Sequence, residues 1–267
     1  MSLDYRKAMR LTFRGCLVVF VALVLMGIVD AAFGQQKVLH VAAAADLTPV
    51  MPVLAEAYEH ATGVKVVASF GSSATLEQQL ENGDPQDVFL SADFSHPEKL
   101  VAAGLTVEKT PVVYAHGVLV LWARKDSPAQ PLSMDSLTRP GVVKIAVAND
   151  QHAPYGVAAT RAIANLNLTE KVKGKLVVAE NIAQTAQFVE SGNAQVGFVS
   201  LTIASSPHFK DVGTFLRLPE GSYPPIQQSG VVMKASKMQG VGEDFLRWLT
   251  SEGVQKRLEE MGLGAAE

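Results

Sequence analysis

Residues 70–76, Phe-Gly-Ser-Ser-Ala-Thr-Leu, join an apolar run at 64–69 to a segment of helical spacing at 76–81. Gly71 lets the backbone turn, and Ser73 falls at or beside the N-cap of the helix that follows. Such a turn gathers unpaired backbone N–H groups, small hydroxyls and the positive end of a helix dipole. An anion is the ligand that this arrangement receives, and no fixed positive charge is needed. Plain helix capping would use the same two serines, so the neighbouring turns must decide between the readings.

Four further turns carry candidates. Asp46 follows four alanines, residues 42–45, where small side chains allow a ligand close to the backbone. The same Asp46 could cap the next helix, although Pro49, three residues on, has no N–H to receive that cap. Thr48 with Pro49 just inside the helix is an equally good start. In the second half of the chain, Pro154 and Tyr155 stand at a helix start, and Tyr155 either offers its hydroxyl or packs the rim of a cleft. Ile182 follows Glu180 and Asn181 at another helix start, where its backbone N–H matters more than its side chain. Ser200 ends an apolar run and brings a hydroxyl. Ser73, His152 and Asp46 also include the residue types of a hydrolase triad, but no G-x-S-x-G elbow surrounds Ser73. His152 has no His or Cys partner at metal-ligand spacing, and the sequence holds neither a P-loop nor a dinucleotide fingerprint.

The segments between these turns alternate strand and helix. Strands are expected at 38–43, 64–69 and 87–93, and helices at 47–61, from 73, and at 95–103 closed by Gly104. Residues 112–123 read as one long apolar strand that crosses into a second lobe. There the alternation repeats, with strands at 143–147, 176–178 and 196–199 and helices at 155–166 and 182–191. Residues 205–226 carry four prolines and read as loop. A strand at 230–233 returns to the first lobe, and helices at 241–249 and 251–261 end the chain. The pattern predicts an α/β clamshell: two lobes, each a mixed sheet flanked by helices, joined by two hinge crossovers. The expected division is 35–118, 119–227 and 228–267, the last part rejoining the first lobe. Ligands of such sheets bind beyond the carboxyl ends of the strands.

The N-terminus reads as an export signal. Arg6, Lys7, Arg10 and Arg14 precede an apolar run at 16–29, and Ala32-Phe33-Gly34 offers a cleavage site. Cleavage after residue 34 would remove four basic and two acidic residues, leaving 19 and 24 and a net charge of -5. That balance argues against nucleic acid as a partner. The only cysteine, Cys16, leaves with the signal, so the mature protein is expected to be a soluble periplasmic chain without disulfides. A hinge protein of this size is expected to be monomeric.

Taken in order, Ala42-Ala43-Ala44-Ala45-Asp46-Leu47-Thr48, Ser69-Phe70-Gly71-Ser72-Ser73-Ala74-Thr75-Leu76, Pro85-Gln86-Asp87-Val88-Phe89-Leu90-Ser91-Ala92-Asp93 and His152-Ala153-Pro154-Tyr155-Gly156 are specific. With them the chain resembles the periplasmic molybdate-binding proteins of ABC-type uptake systems, over nearly all of residues 38–263. The resemblance implies a type II periplasmic-binding-protein fold that catalyses nothing and uses no cofactor. It implies that molybdate or tungstate is held between the lobes by neutral donors and passed to a membrane permease. It further implies contacts from residue 46, from the hydroxyl and N–H of Ser73, from Tyr155, from the N–H of Ile182, and from position 200. That last position is often Tyr in the family and is Ser200 here, so Tyr155 would take over its hydroxyl. Asp46 departs from the family pattern, because many members carry a neutral donor there. Three readings follow. Asp46 offers only its backbone N–H and caps the helix with its carboxylate; it is protonated and donates an O–H; or the ligand is instead a cation or a small organic solute.

Overall fold

The computed structural model describes residues 36–266; the expected export signal at 1–34 lies outside them. Among the described residues the chain forms two five-stranded sheets. The first runs β2 (Lys65–Gly71), β1 (Val38–Ala44), β3 (Val88–Ser91), β10 (Ile226–Val232) and β4 (Val112–Gly117). The second runs β7 (Leu176–Ala179), β6 (Ile145–Ala148), β8 (Val196–Ser200), β5 (Leu119–Arg124) and β9 (Gly213–Arg217). In each sheet three strands are parallel, and the fourth runs antiparallel to both of its neighbours. Both sheets are therefore mixed, as expected of the clamshell, with the largely parallel order that the alternation predicts.

Burial explains the strand sequences. β3, β6 and β8 are buried at every position, which suits central strands covered by helices on both faces. Trp122 of β5 is fully buried and packs edge-on against Phe209, with ring centroids 5.0 Å apart. Burying an aromatic of that size contributes roughly 4–6 kcal/mol. In the first lobe Tyr58 packs on Phe245 at 4.9 Å, which fixes the Gln239–Leu249 helix to the body of the lobe.

Four expectations change. The helix placed at 47–61 begins at Met51, after a 3-10 turn at Ala45–Leu47. Pro52 lacks the N–H that would bond the carbonyl of Thr48, so the helix cannot extend upstream as a regular ladder. The long strand at 112–123 is two strands, one in each sheet, broken at Val118. The stretch at 205–226 contains the Pro207–Val212 helix and the edge strand β9, which the surrounding prolines disguise. The returning strand starts at Ile226 rather than at 230.

The chain leaves the first sheet after Gly117 and returns to it at Ile226. These two crossovers are tied together, because Leu119 N donates to the Tyr223 hydroxyl at 3.0 Å. Gly117 is required at its crossover: a Cβ there would lie 2.5 Å from the Tyr155 hydroxyl oxygen and 2.8 Å from Ile226 Cγ2. We expect Gly117→Ala to destabilise the fold by about 1–3 kcal/mol through this overpacking, read as a lower urea midpoint at unchanged slope.

Candidate functional site

Parallel strands of both sheets end at one small cavity. β1 ends at Ala44 beside Gly71 of β2, and β6 ends at Ala148 beside Ala179 of β7. Residues following these ends line the space: Asp46, Ser72 and Ser73 from the first lobe, and Pro154, Tyr155 and Ile182 from the second. The cavity measures about 10 Å³ of room for the centre of a water-sized sphere. That is about the room of one water, so a nucleotide or a sugar is excluded in this arrangement. No Lys, Arg or His is among its lining residues.

Three helices start at the cavity. Ser72 caps the Ser73–Glu81 helix, its hydroxyl accepting from Thr75 N at 3.4 Å. Asn181 caps the Ile182–Glu190 helix, accepting from Gln184 N at 3.0 Å. Pro154 opens the Pro154–Asn165 helix, and no side chain caps it. Ser73, Tyr155 and Ile182 therefore occupy first turns, whose N–H groups have no acceptor within their own helices. The Ser73 hydroxyl is fixed by accepting from Ala92 N at 3.1 Å.

Asp46 joins the two lobes. It is fully buried, and its Oδ2 accepts from the Tyr155 hydroxyl at 3.1 Å and from Gln228 Nε2 at 2.5 Å. Its backbone carbonyl accepts from the Thr202 hydroxyl at 2.7 Å. Its Oδ1 has no hydrogen-bond partner, and neither has Gln228 Oε1. Burial pushes the Asp46 carboxyl up to about 6, against the opposing pull of the Gln228 and Tyr155 hydrogen bonds. Burial also pushes the Tyr155 hydroxyl well above its usual range, and the neighbouring Asp46 adds to this.

This geometry corrects one reading of Asp46. Its carboxylate caps no helix: no side-chain cap closes the Ala45–Leu47 turn or the Met51–Thr62 helix. The later helix start puts its N-cap at Val50, four residues beyond Asp46, whose side chain turns to Tyr155 and Gln228 instead. Tyr155 is not a rim aromatic, since it is 1% exposed with its hydroxyl on Asp46. Ser200 is brought near but does not line the cavity. Its hydroxyl caps the short helix after β8 and bonds the Thr202 hydroxyl at 2.8 Å, so it reaches Asp46 only through Thr202. The triad residue types do not form a relay. His152 Nδ1 lies 3.0 Å from Glu180 Oε1, and among the described residues no hydrogen bond joins it to Ser73 or Asp46.

Gln228 and Thr202 carry functional geometry that sequence reasoning passed over. The register with β4 slips between Gln228 and Ser229, where Tyr114 of β4 is the extra residue, and Gln228 itself stays paired with Ala115. The polar run Gln227-Gln228-Ser229 at the head of an apolar strand is the signal that was available. Above the cavity the lobes touch directly. Ala74 N donates to His152 O at 3.1 Å, and the Thr75 hydroxyl donates to Glu180 Oε1 at 3.3 Å.

Two α/β lobes meeting at one small cavity that no cationic side chain lines define a clamshell of the solute-binding kind. The chain belongs to the family of bacterial extracellular solute-binding proteins, whose family model matches residues 39–264. It is 36% identical to the molybdate-binding protein ModA of Azotobacter vinelandii over 88% of this chain and 92% of the relative. It is 31% identical to ModA of Rhodobacter capsulatus over 83% and 86%. Among solved structures, the periplasmic molybdate-binding protein of Azotobacter vinelandii superposes with a TM-score of 0.77 at 31% identity, covering 86% of this chain and all of that one. The sulfate-binding protein SubI of Mycobacterium tuberculosis shares the fold with a TM-score of 0.75 at 16% identity, over 86% of this chain and 88% of that one.

A carboxyl raised by burial lowers stability as pH rises. The folded chain holds the Asp46 proton more tightly than the unfolded chain, so folding is favoured below 3.8 and loses that advantage up to about 6. Asp46→Asn removes this loss. We expect its stability relative to the natural chain to climb between these pH values and level off above, by on the order of 3 kcal/mol. Paired denaturation curves across pH 4–8 check it; a constant difference would mean that Asp46 titrates normally.

Proposed function

We propose that the protein captures molybdate, and tungstate with it, between its lobes and delivers the ion to the membrane permease of an ABC uptake transporter. One observation carries this reading: three helix N-termini open on a single small cavity whose lining has no cationic side chain. A desolvated dianion is stabilised there by charge-assisted hydrogen bonds and helix dipoles. Neutral donors also let it go, since no buried ion pair must break when the lobes part. The identity to molybdate-binding proteins over most of the chain supports the choice of ion.

In this reading Ser73 gives its hydroxyl and N–H, and Asp46, Tyr155 and Ile182 give backbone N–H groups. Ser200 acts at one remove, through Thr202 and the Asp46 carbonyl. The lobes divide near 118/119 and 227/228, which the sheet membership of the strands supports to within two residues. The mature chain works as a periplasmic monomer after loss of residues 1–34, and it turns over no substrate. Selectivity against sulfate comes from cavity size, because sulfate offers the same charge and shape on a smaller scale.

Calorimetric titration with molybdate, tungstate and sulfate tests the proposal. Tight binding of the first two and none of sulfate is expected, and no binding of any oxyanion overturns it. Ser73→Ala should weaken molybdate binding by about 1–3 kcal/mol through loss of a charge-assisted hydrogen bond. Unchanged affinity in a folded Ser73→Ala variant would remove Ser73 from the site.

A further inference from the structure

We infer that Asp46 meets the bound oxyanion as a neutral carboxylic acid, so that each ion taken up between the lobes brings one solvent proton onto this side chain. The inference rests on the oxyanion reading above and adds a co-ligand to it. Asp46 lines the cavity together with Ser73, Tyr155 and Ile182 and is fully buried. An ionised carboxylate there would offer only acceptors to an ion that is itself all acceptors, and the two charges would repel at low dielectric.

The hydrogen bonds say where the proton goes. Oδ2 already accepts from both the Tyr155 hydroxyl and Gln228 Nε2. Among the described residues, Oδ1 has no hydrogen-bond partner. A buried carboxylate oxygen without a donor is costly, whereas a protonated Oδ1 becomes a donor in a cavity built of donors. Gln228 is a positioning residue in this scheme: together with Tyr155 it occupies Oδ2 and leaves Oδ1 as the site of protonation.

Among the described residues, no other group near Asp46 is placed to take the proton or cancel the charge. The titratable groups that face it are Tyr155 and Tyr114, both held neutral by burial, and the Tyr114 hydroxyl donates to Ser91 O at 3.1 Å. Of the elements packed against the Asp46 turn, the Ile182–Glu190 helix carries Glu190, which pairs with His208. The helix at Leu201–Ala204 carries no titratable residue. Lys65 lies at the opposite end of β2 from the cavity, paired with Val38 rather than Ala44. At the rim, Glu180 is paired with His152, and beyond β3 Asp93 is paired with His96. Because burial already raises the Asp46 carboxyl to about 6, only a further rise on binding is needed to hold the proton at neutral pH.

The sign follows. Above about 6 the free protein is ionised at Asp46 and must take up a proton to bind; below it the proton is already present. The test is calorimetric titration of the purified mature chain with sodium molybdate, in two buffers of different ionisation enthalpy, at several pH values from 7 to 9. We expect uptake of close to one proton per ion and a Kd that rises up to about tenfold per pH unit. Asp46→Asn should bind with no proton uptake and a flat pH profile. Tight binding by the natural chain with no proton uptake overturns the inference. So does uptake that persists in Asp46→Asn, which would put the proton on the ion. The buffer comparison on the natural chain decides the matter even where Asp46→Asn does not fold. Absence of molybdate binding at every pH overturns the oxyanion reading itself, and this inference with it.

Discussion

A carboxyl group with no cation beside it sits where the two lobes meet. Asp46 is fully buried, touches Tyr155 of one lobe and Gln228 of the returning strand, and carries Thr202 on its carbonyl. Low dielectric makes such a group either a neutral acid or a strong local field, and the surroundings must be arranged for one of these. Much of the local architecture reads as that arrangement. Gly117 leaves room for the Tyr155 hydroxyl, Gln228 donates its amide to Asp46 Oδ2, and Ser200 bonds Thr202.

Around that point the fold supplies donors without supplying charge. The same strand order occurs in both sheets, so both lobes present helix N-termini to the same space. Amide dipoles held by a backbone cannot swing away as a lysine can, and they keep no permanent charge when the cleft is open. A solute-binding protein must hold its ion tightly and also surrender it. Partial charges fixed on a scaffold serve both needs, because their effect on the ion fades as soon as the lobes separate.

Much of this was legible in the sequence. The alternation of strand and helix gave the two mixed sheets, and the turns at Asp46, Ser73, Tyr155 and Ile182 do converge on one cavity. Local patterns carried those elements because each turn announces itself by small residues, Pro or Ser at a helix start. The reading failed where partners are distant in sequence. Helix capping by Asp46 is a local possibility that the sequence offers beside ligand contact, whereas its side-chain partners are 109 and 182 residues away. Gln228 lies between the segment read as loop and the strand expected at 230–233, and Ser200 reaches Asp46 only through Thr202. β9 was missed because five alternating residues between prolines look like any connection.

The contacts above the cavity have a kinetic meaning. Ala74 N donates to His152 O, and Thr75 reaches Glu180, without any need for an ion in between. Every such bond stabilises the shut form of the empty protein. It therefore lowers the fraction of molecules with an open mouth, and with it the rate of first encounter, while slowing escape once an ion is inside. Speed of capture and length of residence are thus open to tuning by rim residues that do not line the cavity. Evolution can act there without disturbing the donors that recognise the ion.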